Sequence, residues 1–415
     1  MRRGAVSRGA VSRGAVSRGA VSRGAVSRGD AEIAAPPAEA LRRREFTASL
    51  GLGLAALWAP LVASGLGLAS GVSCLPEDQL DVRRRLLRSW TQQLAVAEYQ
   101  AAADASVELK RRAEALRADP SPAALEAARA AWQLSRAPIK RAELFAFGPY
   151  LEEPERYGPQ LDFWPLRPAV IDSVLSGSSR LSAAAVAALG APARGLPAIE
   201  YLLWAPGVDA ERFRTETRRA DYLVALAADL GRVCAALVDA WQGHFAEQIS
   251  EAGELSSALY PSLLAAFGDV VNRAGVLIEH IRGDKLGKPL GEASGGVAQP
   301  AKAESQYSGR SVQDILDNLE GVRRMFFGAE QPEVIGLERY LSRLKPELVP
   351  RVREGLAACV TALGQVSSPL TAAVIDDPSA VRDAERALGE LQRLIQADVL
   401  GALSVSVGFS GNDGD

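Results

Sequence analysis

Only two histidines, His244 and His280, and three cysteines, Cys74, Cys234 and Cys359, occur along the chain. A catalytic zinc site of the H-E-x-x-H kind needs three side-chain ligands and cannot be assembled from that stock. Neither a C-x-x-C pair nor a G-x-S-x-G nucleophile elbow is present. Aromatic residues make up 6% of the chain, and almost no segment alternates polar with apolar residues as a strand would. A basic surplus is missing as well. The formal charge is −3, and residues 1–73 hold ten arginines against four carboxylates, a surplus of six that leaves the remainder at −9. An acidic body of that kind is a poor nucleic-acid binder.

What is present begins with five copies of Arg-Gly-Ala-Val-Ser over residues 3–27, a period too short and too polar for a packed repeat fold. No aromatic side chain interleaves these arginines to stack on bases. The repeat therefore reads as a disordered extension, from an early translation start or a repeat expansion, rather than an RNA-binding arm. Arg42-Arg43-Arg44-Glu45-Phe46-Thr47 then precedes an uncharged run from Ala48 to Val72, which resembles a twin-arginine export signal. A retained membrane anchor is the alternative on length, and the many glycines argue against it. The run ends in Ser70-Gly71-Val72-Ser73-Cys74, similar to a lipoprotein cleavage site with Gly71 in the usual leucine position, so Cys74 is a candidate for acylation. Cys234 and Cys359 lie in apolar helical runs and read as small core residues, although export would permit a disulfide.

From Leu80 onward the apolar residues recur at helical spacing. A first long helix is expected over Gln79–Leu116, and a second begins at Ser121-Pro122, which combines a capping hydroxyl with proline in the first turn. Pro138 should kink or end that helix just past Arg136. Short helices follow near Pro168–Leu175 and Ser182–Leu189, then long ones over about Ala210–Ile249 and Glu254–Ile281. Residues 283–309, rich in Gly, Lys, Pro and Ser, form the longest irregular segment, and Lys285, Lys288 and Arg310 make it locally basic. It is either an ordered connector with solvated charges or a contact for an anion. Ser311 and Asp314 look like a capping box, Pro332 opens a helix to Leu344, Pro346–Gly364 forms another and Asp377-Pro378 starts the last. His244-x-x-Glu247 puts two metal-ligand types on one helix face, but its surroundings read as coincidence. The acidic tail at Gly411-Asn412-Asp413-Gly414-Asp415 has incomplete calcium-loop spacing and reads as a frayed end.

The stretch that organises these helices is Arg194-Gly195-Leu196-Pro197-Ala198-Ile199-Glu200-Tyr201-Leu202-Leu203-Trp204. Glu200 is its one carboxylate, beside a core-facing stripe of Ile199, Leu202 and Leu203, where an ionised group must be paired, hydrogen-bonded or protonated. It is a site residue, a glutamate facing the helix dipole, or half of a structural ion pair. Gly195-x-x-x-x-Glu200 with Tyr201-Leu202-Leu203-Trp204 resembles the signature of the imelysin-like proteins, usually G-x-H-x-x-E, with Pro197 here in the histidine position. The resemblance continues through Trp132-x-x-x-Arg136-x-Pro138, Glu143-x-x-x-Phe147-Gly148-Pro149, Leu161-Asp162-x-Trp164-Pro165, Lys285-Leu286-Gly287-Lys288-Pro289-Leu290 and Tyr307-Ser308-Gly309-Arg310-Ser311. It covers roughly residues 80 to 412.

That resemblance implies an all-α fold of two side-by-side helical bundles of about four helices each. The layout is a disordered extension over 1–41, an export signal over 42–74, an N-terminal bundle over 78–248 and a C-terminal bundle over 252–412. It also implies a cell-envelope, periplasmic binding protein linked to iron acquisition, with a polar pocket between the bundles lined by Glu200, Arg136, Glu143, Asp162 and Arg310. A metallopeptidase, the activity that named the family, and a purely structural envelope protein are the alternatives; without the histidine the reading leans away from catalysis. The expected partners are a small ligand or metal ion and envelope or iron-uptake proteins. Nucleic acid is not expected, and a membrane is met only through the signal or a lipid on Cys74. Cofactor and metal stay unassigned. Glu200 is expected to be buried with a basic partner from Arg136, Arg194 or Arg310, so that Glu200→Gln would cost roughly 3 kcal/mol if the pair is structural.

N-terminal sequencing of the exported protein should find residues 1 to about 74 removed, because their composition cannot build a core. Recovery of an intact Ala5-to-Ser27 repeat in the envelope fraction would count against this layout.

Overall fold

The computed structural model describes residues 77–406, apart from 256, 331 and 332. The arginine repeat, the export signal, Cys74 and the acidic tail lie outside the described residues. Within them the fold is all-α, and the sole β pairing is an isolated antiparallel bridge between Ala329 and Val334.

The first rod is Glu77–Arg88 (α1), a π turn at Ser89–Ala95, and Val96–Ala118 (α2). It stops at Asp119-Pro120, and Pro122–Arg141 (α3) starts as its sequence dictates: the Ser121 hydroxyl accepts from Ala124 N at 3.2 Å, with Pro122 in the first turn. Pro138 lies inside α3 and does not end it. The ring removes one hydrogen bond, to the carbonyl of Leu134, in a turn whose own side chain is 64% exposed. Beyond it Ile139 and Lys140 are buried, and Asn318 Nδ2 donates to the Lys140 carbonyl at 2.7 Å. Packing outweighs the local cost, a common outcome for helix propensity.

The remaining main helices are Pro168–Ser176 (α4), Gly195–Trp204 (α5), Ala210–Thr215 (α6), Thr217–Ala240 (α7), Leu263–His280 (α8), Ser311–Phe327 (α9), Leu348–Leu363 (α10) and Pro378–Arg393 (α11). Two starts fall later than their sequence pattern suggests. α8 opens at the Ser262 cap because Gln248 Oε1 accepts from Ala258 N and Leu259 N, folding the chain before it into a loop. The helix expected from Pro332 starts at Glu338, after the Ala329–Val334 bridge has turned the chain.

α2, α3, α5 and α7 close one four-helix ring, each packing on its neighbours, while α8, α11, α10 and α9 follow one another round a second. α9 rests on α3 and joins the two. α1 belongs by contact to the second group: it packs on α8, and its buried Arg83 donates to Tyr340 Oη at 3.1 Å and to the Leu403 carbonyl at 2.9 Å. Trp90, Trp132 and Trp241 are fully buried and anchor a continuous apolar core.

The α3–α9 crossing is close enough to demand glycine at position 321, where a Cβ would overlap the carbonyl oxygen of Arg141. Gly321→Ala gains about 1 kcal/mol of helix propensity and meets backbone that cannot yield. Urea unfolding should therefore register a net loss of roughly 2 kcal/mol or more; an unchanged midpoint would mean that the two helices are free to part.

Candidate functional site

α5 is fixed from three sides. Trp132 Nε1 donates to the Leu196 carbonyl at 2.9 Å, Arg129 donates to the Leu203 carbonyl at 2.7 Å, and Arg194, just ahead of the helix, pairs with Asp229 of α7 at 2.6 Å. Gly195 has φ +75°, and a Cβ there would overlap the carbonyl oxygen of Leu161. The glycine of the G-x-x-x-x-E motif thus lets the Leu161–Asp162 turn press against the start of α5.

That turn delivers Asp162 to α3. Arg136 Nη1 lies 2.9 Å from Asp162, its Nη2 3.1 Å from Glu304 and its Nε 2.6 Å from Asp314. One turn on, Lys140 Nζ meets Asp162 at 2.6 Å, Glu304 at 2.5 Å and Glu143 at 3.0 Å. Lys285 closes the far side, 2.8 Å from Glu143 and 2.8 Å from Asn318 Oδ1. Lys285 also lies 3.2 Å from Glu304 Oε2, outside hydrogen-bond alignment, so that oxygen is held by charge alone. Arg310 pairs with Asp314 and, at 2.6 Å, with Asp317. Four cations therefore face five carboxylates in a space that water barely reaches.

Burial opposes the charge on Arg136, Lys140, Glu143, Asp162 and Glu304, and the opposite charges outweigh it. Glu143, Asp162 and Glu304 stay below the usual carboxylate range because Arg136, Lys140 and Lys285 surround them. Arg136 and Lys140 are held above their ordinary values by the same carboxylates. At the edge, His280 Nδ1 sits 2.8 Å from Asp284, and its Nε2 3.8 Å from Glu143.

Glu200 stands apart from these ion pairs. It is 3% exposed, as expected, but no basic side chain among the described residues pairs with it. Arg136, Arg194 and Arg310 are each committed elsewhere. Its Oε1 instead accepts from Tyr307 N at 3.1 Å, Ser308 N at 2.8 Å and Ser308 Oγ at 2.8 Å, while Oε2 accepts no hydrogen bond among the described residues. Burial outweighs the Ser308 hydrogen bonds and the more distant charge of Arg136, and the carboxyl is pushed up to about 7.

The structure thus brings Arg136, Glu143, Asp162 and Arg310 into one network and sets Glu200 beside it, joined through residues 304–310. Arg136 and Glu143 do not share a helix face, since α3 ends at Arg141 and Glu143 opens a 3-10 turn; Lys140 links them. Lys140, Glu304, Asp314 and Asn318 went unmarked as site residues in the sequence, where each is an ordinary polar residue of a helix or loop. Asp314 forms no capping box, because it faces Arg136 and Arg310 while Ser311 Oγ donates to the Glu304 carbonyl. Lys285 is buried and the Arg310 side chain is only 9% exposed, and the anions they meet belong to the protein itself. His244 and Glu247 are exposed. Among the described residues no three His, Cys, Asp or Glu side chains converge as a metal site. Pro197 offers no donor beside Glu200, so the residues do not fit a metal centre held by three protein ligands.

Residues 95–397 match the family model described as Imelysin. An iron-regulated protein A of Synechococcus elongatus is 27% identical over 313 residues, spanning 73% of this chain and 82% of that protein. Two crystal structures share the fold. One, described as an iron-regulated protein A precursor from Parabacteroides distasonis, has a TM-score of 0.66 and 17% identity, and covers 78% of this chain and 95% of that one. The other, an imelysin-like protein from Psychrobacter arcticum, has a TM-score of 0.64 and 20% identity, with coverage of 80% and 98%.

The absence of an ion pair reverses the effect expected of Glu200→Gln. A carboxyl at about 7 in the fold and 4.5 when unfolded keeps its proton longer in the native state. Its contribution is full below pH 4.5 and is lost as pH rises through 7, a change of roughly 3 kcal/mol. Glutamine keeps the acceptor oxygen and carries no charge. The wild-type-minus-variant stability curve from urea titrations should therefore fall across that window, with Glu200→Gln at least as stable as wild type at pH 8. A flat difference, or a variant weaker at pH 8, would refute the assignment.

Proposed function

Since the chain belongs to the imelysin family, we propose that it is a cell-envelope binding protein serving iron acquisition, with Glu200 as the residue that meets the ligand. One observation carries this reading: among the described residues all three donors to Glu200 fall on Oε1, and Oε2 is left without a partner on an otherwise buried side chain. A ligand that brings a donor or a positive charge to Oε2 satisfies that oxygen and favours the ionised carboxylate. The rings of Tyr201 and Tyr307, the residues next to Glu200 and Ser308 in the chain, meet edge to face with centroids 5.2 Å apart.

Binding fits these residues better than hydrolysis does. The signature histidine is Pro197, and the acids and bases of the network beside Glu200 are held in mutual ion pairs. The name of the Synechococcus relative supports the link to iron. The envelope location follows from the signal-like segment at residues 42–74 of the sequence. No helix among the described residues is long and apolar enough to cross a membrane. The same reading places the ligand at the seam between a bundle over 78–248 and another over 252–412, with Arg136, Glu143, Asp162 and Arg310 as its charged frame.

Protein purified from the envelope fraction should carry a small ligand or a metal in native mass spectrometry and elemental analysis. Glu200→Gln should lose it while keeping its fold. Equal occupancy in the variant would move the site elsewhere, and cleavage of unfolded substrates abolished by Glu200→Gln would make the protein a peptidase instead.

A further inference from the structure

A groove of about 420 Å³ lies where α4 meets the α6–α7 junction. Three arginines line it, Arg212, Arg218 and Arg219, and each is tied down in the same way. Arg212 Nε binds Glu216 at 2.9 Å and its Nη1 the Pro206 carbonyl at 3.3 Å. Arg218 Nε binds the Val174 carbonyl at 3.0 Å and its Nη1 the Ser179 carbonyl at 2.8 Å. Arg219 Nε binds Glu216 at 2.9 Å and its Nη1 the Leu202 carbonyl at 3.3 Å. In all three the acceptors fall on Nε and Nη1, and the remaining nitrogen, Nη2, has none among the described residues, although Arg219 is only 2% exposed.

A guanidinium fixed through two nitrogens has already lost its rotamer freedom, so the third can receive an oxygen at little further entropic cost. Three such arginines lining one concavity match the planar, multidentate acceptors of carboxylate and phosphate. Thr217 adds the first turn of α7, a 24-residue helix whose leading N–H groups carry partial positive charge. Both oxygens of Glu216 are occupied by Arg212 and Arg219. Asp172, the other carboxylate in the lining, accepts from Tyr201 Oη at 3.0 Å and leaves the guanidinium groups in excess by one. The volume falls in the range of small-molecule sites and exceeds what a bare phosphate ion fills.

We propose that this groove binds a small organic oxyanion, a carboxylate or a phosphate ester, held by Arg212, Arg218 and Arg219. The site is separate from Glu200 and stands whether or not the ligand proposed there exists.

Isothermal titration calorimetry of the purified protein near neutral pH, with citrate and with glycerol 3-phosphate, tests it. The stronger probe identifies the class. Saturable binding of at least one is expected, weakened about tenfold or more by Arg218→Gln, abolished by Thr217→Glu and unchanged by Glu200→Gln. Thr217→Glu sets a carboxylate in the groove at a helix N-terminus, where a negative charge stabilises the fold, so it keeps the test decisive even if Arg218→Gln unfolds. Absence of saturable heat from either probe up to about 10 mM would overturn the proposal. Binding that survives Thr217→Glu, or that is lost in Glu200→Gln, would overturn it as well.

Discussion

The structure depends on keeping Arg136 and Lys140 charged inside a protein core. Each lies on α3 among groups that water barely reaches, and the desolvation of a single unpaired ammonium or guanidinium would cost several kcal/mol. The cost is met by convergence of three separate chain segments: the Leu161–Asp162 turn, residues 304–310, and α9 with Asp314 and Asn318. None of these is near α3 in sequence, so the ion pairs form only when the helices are in register. Buried networks of this kind add little net stability compared with an apolar core. Their effect here is selective, because any slip of α9 along α3 strands a charge.

Two sorts of carboxylate then sit side by side. Glu143, Asp162 and Glu304 are surrounded by cations and stay ionised, whereas Glu200 is surrounded by neutral donors and rises to about 7. The difference comes from backbone geometry. Ser305 at φ +47° and Gly309 at φ +70° curl residues 305–309 so that consecutive N–H groups point at one oxygen, a small anion nest. The same loop sends Glu304 to Lys140 and Ser305 Oγ to Asp314, at 2.5 Å in each case. It is therefore anchored at one end by charge and at the other by Glu200.

Helical periodicity and capping chemistry made most of the fold legible: the Ser121-Pro122 and Asp377-Pro378 starts and the long first rod are where the residues place them. Pro138 does not mark the end of α3, because its local penalty is small beside the burial of Ile139 and Lys140 downstream. The family motifs pointed to Arg136, Glu143, Asp162 and Arg310, which the fold gathers. Nothing local marks Lys140 or Glu304, whose burial is a tertiary fact. The arginine expected on Glu200 rested on residue types, the usual partners of a buried carboxylate. Backbone N–H groups belong to every residue, and a sequence cannot show which of them will converge. Tyr307-Ser308-Gly309 carried the one hint, since its glycine permits the turn.

Glu200 links α5 to the loop before α9, and this couples any occupant of Oε2 to the seam. Hydrogen bonds from Tyr307 N, Ser308 N and Ser308 Oγ are stronger to an ionised carboxylate than to a neutral one. A donor or cation at Oε2 favours ionisation, and so tightens the hold of Oε1 on the loop. Linkage makes the relation reciprocal: whatever docks residues 304–310 more firmly raises the affinity at Oε2 by the same factor. The ion pairs of Arg136, Lys140 and Lys285 hold that loop from its other end. They reach Glu200 through that loop, which ties a charged network to a carboxylate that forms no ion pair among the described residues.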